Sequence, residues 1–176
     1  AALQIEHDDG TQSPYCAGVW AVFGHGNVAG LGEALAGQRG HLPTFRAHNE
    51  QAMAHAAIAF AKAHFRQRIM AVTTSIGPGA TNLLTAAALA HVNRLPVLLL
   101  PGDVFASRAP DPVLQQVEDF SAGDISANDA FRPLVRHVKV HPGELTTVEY
   151  EIANVRGAPV TAQAVPSYGP ARAAEH

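Results

Sequence analysis

The sequence has little of what several classes of protein require. It contains one cysteine, Cys16, which excludes an internal disulfide, a thiolate zinc site and a secreted disulfide framework. We therefore expect a reducing, cytoplasmic environment. The longest apolar runs, such as PVLLLP at 96–101, are far shorter than the roughly 20 residues that cross a bilayer. The acidic start, AALQIEHDDG, does not resemble a signal peptide, so the sequence predicts a soluble protein without membrane segments.

Charge is also scarce. Charged residues make up 15% of the chain, against about 25% in average proteins. The formal net charge is −3 and the basic residues are scattered, so no basic stripe can follow a nucleic-acid backbone. These features exclude nucleic acid as a partner. The 176 residues are enough for one domain with a substantial core, and the low charge predicts well-covered elements or a face that a partner covers.

Short β-type runs alternate with longer helical patterns through the first hundred residues, which is typical of βαβ units. The predicted fold is therefore α/β, a doubly wound parallel sheet with helices on both faces. Its strands are predicted at 17–23, 44–48, 69–74 and 96–100, and its helices at 28–36, 49–64 and 80–92.

Beyond Pro101 the pattern weakens into a stretch rich in Gly, Pro, Ser and Asp. This stretch predicts short helical pieces at 113–118 and 126–130, then a strand at 132–140, a helix at 143–155 and a strand at 158–165. We therefore predict one domain at 17–166, preceded by an unassigned segment 1–16 and followed by a disordered tail 167–176.

Three marked loops follow predicted strands: GHGN at 24–27, HNE at 48–50 and SIGPGATN at 75–82. In a parallel α/β sheet, ligands bind beyond the carboxyl ends of the strands, where these loops should meet. Glycines let a ligand approach the backbone, and helix N-termini offer unpaired N–H groups. The alternative is that the glycines only form tight turns. Three such loops at one sheet edge favour a ligand site.

Glu50 begins the longest helical pattern, directly after Asn49. Asn49 is a favourable N-cap, and an acid in the first turn offsets the helix dipole by roughly 0.3–1 kcal/mol. Capping alone can therefore explain both residues. However, Glu50 lies between a strand and an Ala-rich helix, where a carboxyl becomes partly buried and can hold or share a proton. Both interpretations remain open at this point.

Other catalytic patterns are missing. The ten histidines include no HExxH and form no Cys/His quartet, which argues against a bound transition metal. Ser75 is not in a G-x-S-x-G elbow, and the loop at 75–82 lacks the lysine of a P-loop. His25 lies in a glycine loop, where it either faces a ligand and moves protons or is exposed to solvent.

Four blocks together carry a family resemblance: FGHGNVAGLG, HNEQAMAHAA, TSIGPGATN and LPGDVFASRAPDPVLQQ. From about Gly18 to Pro133 the chain resembles the pyrimidine-binding domain of thiamine-diphosphate enzymes. Within that family it is most similar to the hydrolases that open a cyclic 1,2-diketone, trihydroxycyclohexane-1,2-dione, to 5-deoxy-glucuronate in myo-inositol catabolism. The resemblance implies the same α/β fold and thiamine diphosphate as the cofactor.

The resemblance also implies roles for individual residues. Glu50 would hydrogen-bond N1′ of the aminopyrimidine and start the proton relay that removes the C2 proton of the thiazolium. The other cofactor-binding residues would be Thr74, Gly77, Pro78 and Asn82.

On the substrate side, His25 and Asn27 would face the diketone, with His25 moving protons. Gln115 would approach the reacting carbons, as a third catalytic residue beside Glu50 and His25.

One half of the expected site is missing from the sequence. The family holds Mg²⁺ and the diphosphate with a GDG motif followed by NN, whereas PGDV at 101–104 offers only Gly102 and Asp103. The resemblance therefore implies a diphosphate-binding domain or subunit elsewhere, a homodimer or homotetramer, and a chain that is inactive by itself. We interpret the chain as a fragment or as one half of a split enzyme.

Other functions stay open. One alternative keeps the cofactor but makes the chain part of an acetolactate synthase-like enzyme or a 2-oxo acid decarboxylase. A second is a non-catalytic α/β module that binds a partner chain. A third is a flavodoxin-like domain that binds a phosphorylated ligand at 75–82, but it leaves Glu50 unexplained, since a carboxylate would repel an anion.

Overall fold

A parallel sheet of four strands forms the centre of the chain, in the order β4-β3-β5-β6. The computed structural model describes residues 3–104, 116–119, 121 and 125–135, and all of these except Leu3 belong to one compact unit, Gln4–His137. The strands of the sheet are β3 (Cys16–Val22), β4 (Thr44–Phe45), β5 (Ile69–Thr74) and β6 (Leu98–Pro101). A separate antiparallel hairpin pairs β1 (Gln4–Glu6) with β2 (Gln12–Pro14).

The helices follow the strands, as βαβ connections require. They are α1 (Gly24–Asn27), α2 (Glu33–Gly37), α3 (Glu50–Ala63), α4 (Pro78–Thr81) and α5 (Leu84–Asn93). A π-helical turn, Val28–Gly32, joins α1 to α2, and a 3₁₀ helix covers Ala127–Phe131. No helix in the described residues is long and apolar enough to span a membrane.

Helix α3 is stabilised by its cap and by its buried face. Asn49 is the N-cap, with its side-chain oxygen accepting a hydrogen bond from Ala52 N at 2.7 Å. Small and aliphatic residues recur three and four positions apart, so they form one stripe along the helix. The buried members of this stripe are Met53, Ala54, Ala57, Ile58 and Ala61.

Both faces of the sheet are covered. On one face, Met70 and Val72 of β5 pack into the main core with Met53 of α3 and Leu83, which precedes α5. On the opposite face, Val19 and Ala71 pack with Leu35 of α2 in a smaller cluster. This arrangement confirms the predicted α/β fold with helices on both faces of a parallel sheet.

The structure corrects several predicted boundaries. The GHGN segment at 24–27 is helical rather than a loop, because the chain turns at Gly24, with a φ of 66°, and enters α1 at once. The predicted strand 44–48 is reduced to Thr44–Phe45, since β4 is an edge strand that pairs only at Val19 and Trp20 of β3. The predicted helix at 80–92 is divided into α4 and α5, and α5 ends one residue later, at Asn93.

The ends of the described chain also differ from the predictions. Strand β6 covers Leu98–Pro101 instead of 96–100, and the hairpin β1–β2 was not predicted at all. In its turn, Asp9 accepts hydrogen bonds from the Thr11 hydroxyl at 2.6 Å and the Thr11 amide at 2.9 Å, which lower the pKa of Asp9.

The region after β6 is only partly described. The predicted helical piece at 126–130 is the 3₁₀ helix, whereas 116–118 carry no helix and 132–135 form turns where a strand was predicted. Those residues lie beside the 3₁₀ helix and pair with no strand of the sheet. The predicted elements at 136–140, 143–155 and 158–165, like residues 113–115, lie outside the described residues.

Candidate functional site

The carbonyl oxygen of Thr74, at the end of β5, joins two of the predicted loops. It accepts a hydrogen bond from Asn27 Nδ2 at 2.8 Å and another from Gly102 N at 3.0 Å. Gly102 must be small here, because a Cβ would lie 2.8 Å from Ile76 N and 3.0 Å from Asn27 Nδ2. The segment after β3 and the end of β6 are therefore both attached to the carboxyl end of β5, as the topology predicted.

Glu50 is the first residue of α3, but its carboxylate does not cap the helix. The cap is Asn49, whereas Glu50 Oε2 accepts a hydrogen bond from Asn82 Nδ2 at 2.9 Å. Glu50 and Asn82 are both half-buried. The capping explanation thus accounts for Asn49 and for the acid in the first turn, but not for the direction of the carboxylate. The bond between Glu50 and Asn82 connects the predicted loop at 48–50 with the one at 75–82.

The other carboxylate oxygen, Glu50 Oε1, lies beside Gly79 and Ser75. A Cβ on Gly79 would overlap the Ser75 hydroxyl oxygen and would lie 3.4 Å from Glu50 Oε1. Ser75 is only 6% exposed, and no described residue donates a hydrogen bond to Oε1 or to the Ser75 hydroxyl. Among the described residues, one carboxylate oxygen and one buried hydroxyl therefore lie close together without a donor.

The turn that carries these groups is formed by the SIGPGATN segment. Gly77, with a φ of 64°, precedes α4, and Pro78 occupies its first turn, where a missing N–H costs nothing. Thr81 N donates to Gly77 O at 2.9 Å, and Asn82 N donates to Pro78 O at 3.1 Å. These bonds fix the backbone from which the Asn82 side chain reaches Glu50.

The remaining predicted site residues differ in how exposed they are to solvent. Thr74 is fully buried and its hydroxyl donates to Ser75 O at 3.0 Å, so its backbone carbonyl is the atom that shapes the site. Pro78 is exposed. His25 is exposed in α1 and makes no hydrogen bond to any described residue. Gln115 lies outside the described residues.

The segment 125–131 is attached to the end of β6 by a polar network that the sequence interpretation missed. Asn128 Nδ2 donates to Gly102 O at 2.8 Å, and the Ser126 hydroxyl donates to Asp103 Oδ1. The buried Glu118 accepts from Ala127 N at 3.1 Å. The pattern Ser126-x-x-Asp129 is a capping box, and this signal could have located the helix start.

Among the described residues, no three or more His, Cys, Asp or Glu side chains are grouped so that they could hold a metal ion. Asp103, the one acid of the PGDV segment, accepts from Val104 N at 2.8 Å and from Ser126. The Asp103 carboxylate therefore stabilises this segment through its hydrogen bonds to Val104 and Ser126.

The chain belongs to the thiamine pyrophosphate enzymes, because the model of their N-terminal TPP binding domain matches residues 17–122, more than half of the chain. This match confirms the family resemblance found in the sequence blocks. A model of a second family, Cytochrome c oxidase assembly protein CtaG/Cox11, matches residues 116–176, about a third of the chain.

Curated relatives narrow the comparison within the first family. The chain is 52% identical over 134 residues to the 3D-(3,5/4)-trihydroxycyclohexane-1,2-dione hydrolase of Bacillus licheniformis, a match that covers 76% of this chain and 21% of the relative. The enzyme of the same name from Bacillus subtilis is 51% identical over the same length and with the same coverage. That from Bacillus cereus is 54% identical over 129 residues, 73% of this chain and 20% of the relative. The chain thus spans about a fifth of the length of the curated relatives it matches.

Proposed function

We propose that this chain supplies the pyrimidine-binding half of a thiamine-diphosphate site in a C–C bond hydrolase. The observation that carries the proposal is the presentation of Glu50. Its Oε2 is held by Asn82 at 2.9 Å, while Oε1 lies on the side of Gly79 and Ser75. A half-buried carboxylate with one fixed and one open oxygen suits the exchange of a single proton with a ring nitrogen.

The residues present fit the aminopyrimidine of the cofactor. Glu50 Oε1 would hold or move the proton at N1′, and the backbone of Thr74, Gly77 and Pro78 would line the ring, with Asn82 behind the carboxylate. Gly79 supports the fit, because any side chain there would enter the space between Ser75 and Glu50. When bound, thiamine diphosphate supplies a nucleophilic carbon that adds to a carbonyl group.

For the substrate we propose a cyclic 1,2-diketone, cleaved between its two oxygenated carbons. The names of the relatives support this choice, because they describe hydrolases of 3D-(3,5/4)-trihydroxycyclohexane-1,2-dione. We place the reaction in myo-inositol catabolism. His25 is exposed and free to move protons on the substrate side, and Asn27 keeps its side-chain oxygen for the substrate while Nδ2 binds Thr74. Gln115 would approach the reacting carbons.

The diphosphate and Mg²⁺ would be held by a separate domain or subunit, in a homodimer or homotetramer of the complete enzyme. Two observations favour this view. No described cluster of acids could hold a metal ion, and the chain spans about a fifth of its relatives' length. We place the enzyme in the cytoplasm, in keeping with its single cysteine.

The proposed role of the Glu50 carboxylate can be tested with the variants Glu50→Gln and Glu50→Ala, made in the natural polypeptide that contains these residues. We expect turnover to fall by about 10²–10⁴-fold, the usual contribution of a general acid or base. The matched control is Glu33→Gln, an exposed acid in the first turn of α2 that should leave turnover unchanged. Circular dichroism would verify that each variant is folded.

Turnover near the wild-type level in both Glu50 variants would refute the proposed role. Product analysis separates the remaining alternatives, because a diketone hydrolase releases a ring-opened acid. An acetolactate synthase-like enzyme or a 2-oxo acid decarboxylase would instead convert a 2-oxo acid, and a non-catalytic partner-binding module would convert neither substrate.

A further inference from the structure

The two oxygens of the Glu50 carboxylate have unequal surroundings. Oε2 accepts a hydrogen bond from Asn82 Nδ2 at 2.9 Å. Oε1 lies on the side of Gly79 and Ser75 and receives no hydrogen bond from any described residue. Because Asn82 contacts only one oxygen, it makes two chemically equivalent atoms inequivalent.

Asn82 is held firmly enough to impose this difference. Its backbone N donates to Pro78 O at 3.1 Å at the end of α4. The next residue, Leu83, is fully buried and belongs to the main core. The Asn82 side chain therefore projects from an anchored backbone, and it meets a carboxylate 32 positions away in the sequence.

The identity of the donor determines where a proton can lie. The Nδ2 group of an asparagine is a donor only, so the oxygen that faces it must act as an acceptor in both protonation states of the carboxyl. While the Asn82 amide keeps this orientation, a proton on Glu50 is confined to Oε1, the oxygen on the side of Gly79 and Ser75. A protonated Oε2 would place two donors against each other.

We propose that Asn82 is a positioning residue, which orients Glu50 and directs its exchangeable proton to Oε1. The proposal rests on the proposed function, because it assumes that Oε1 exchanges this proton with N1′ of the aminopyrimidine. It revises the sequence-based role of Asn82, which was direct contact with the cofactor. The two roles predict different responses to a ligand that lacks N1′.

The experiment measures the affinity of the natural polypeptide, with Mg²⁺, for two ligands by isothermal titration calorimetry. One ligand is thiamine diphosphate, and the other is its analogue in which N1′ is replaced by C–H. In the wild type we expect the cofactor to bind roughly tenfold to hundredfold more tightly than the analogue, since only the cofactor bonds to Glu50.

The informative variant is Asn82→Asp, which preserves the size of the side chain, removes the Nδ2 donor and adds a negative charge beside Glu50. We expect the preference for the cofactor to fall at least severalfold, while the affinity for the analogue stays within about twofold of the wild type. Asn82→Ala should behave in the same way. Asn93→Asp is the matched control, because Asn93 is an exposed asparagine that donates only to Leu89 O.

Two results would overturn the proposal. An equal loss of affinity for both ligands in Asn82→Asp would mean that Asn82 contacts the cofactor directly. An unchanged preference would mean that Asn82 does not act through Glu50. If the wild type itself binds the two ligands equally, the proposed function fails at Glu50, and this outcome is distinct from the other two.

A second measurement needs no ligand and uses the 176-residue chain. In NMR spectra, the Asn82 side-chain NH₂ resonances should shift when Glu50→Gln replaces the charged acceptor by a neutral one, while the Asn93 NH₂ resonances stay in place. If the Asn82 NH₂ resonances do not shift in Glu50→Gln, this result would contradict the Asn82–Glu50 contact and therefore the proposal.

Discussion

Two asparagines act on the start of α3 in different ways. Asn49 satisfies the backbone, through its bond with Ala52 N, whereas Asn82 binds the side chain of Glu50. Because Asn49 caps the helix, the Glu50 carboxylate is not needed as a cap. The helix cap and the bond to Asn82, which the sequence alone could not separate at these adjacent positions, therefore belong to different residues.

This separation predicts the effect of Asn49→Ala. We expect the free energy of unfolding to fall by about 1 kcal/mol, the usual cost of removing a side-chain N-cap. Urea denaturation of the chain would measure the change. The control is Asn93→Ala, which removes an exposed side chain at the C-terminal end of α5. It should lower the free energy of unfolding by less than Asn49→Ala does.

A cost for Asn49→Ala no larger than that of the control would mean that the cap bond adds nothing to stability. Glu50→Gln should have only a small effect in the same experiment, because Gln keeps an acceptor oxygen for Asn82. A large loss of stability in Glu50→Gln would show that the carboxylate has a structural role that the proposed function omits.

The contacts around Glu50 differ in how far the sequence could predict them. Asn49 was recognisable as a cap, because capping is a local property of neighbouring residues. The bond between Glu50 and Asn82 was not predictable, since it joins loops 32 positions apart and depends on how α3 and β5 pack. No sequence pattern marks Ser75 as a neighbour of the Glu50 side chain, because the two residues are brought together by the fold.

At the scale of elements, α3 is a helix of small residues packed closely on its neighbours. Its buried face includes Ala54, Ala57 and Ala61, and it contacts β5 and α5, whose own buried residues include Ala86 and Ala87. Close approach of two helices requires small side chains where they meet. The position of Glu50 over the site depends on this packing.

Enlargement of the buried face should therefore be costly. Ala57→Leu places three extra carbons at a fully buried position, and we expect it to destabilise the chain by about 1–3 kcal/mol. Ala59→Leu is the matched control, because Ala59 is exposed on the same helix. Urea denaturation compares the two, and equal stabilities would contradict the close packing described for α3.

Elements with strong local signals were predicted most accurately. Strand β5 was found at the predicted residues, 69–74, because it is a short β-branched run and every residue in it is buried. The segment 24–27 was predicted as a loop because its glycines suggest turns, but the chain turns at Gly24, with a φ of 66°, and enters α1 at once. Strand β4 was predicted too long, since pairing with a single neighbour leaves no reason for the extended chain to continue.

At the scale of the whole molecule, the described residues from Gln4 onward belong to the unit Gln4–His137. The thiamine pyrophosphate family model ends at 122, and the CtaG/Cox11 model begins at 116. The predicted domain end at 166 stays a prediction beside these observations.

The stability of a shortened chain would test whether the domain ends near His137 or extends to 166. We expect a chain that stops after His137 to keep the urea midpoint of the 176-residue chain, because the core clusters lie within Gln4–His137. A marked drop in the midpoint would instead support a domain that extends to 166. The Asn82 NH₂ resonances would report whether the candidate site survives the truncation.

Redesign of this edge of the sheet would have to keep glycine at position 102. Both residues donate to the same Thr74 carbonyl, and Gly102 has no room for a methyl group beside Asn27 Nδ2 and Ile76 N. A mutant library that varies position 102 alone would therefore return mostly glycine. A smaller residue at 27 would not lift this restriction, because the tightest contact of a Cβ at 102 is with the backbone N of Ile76.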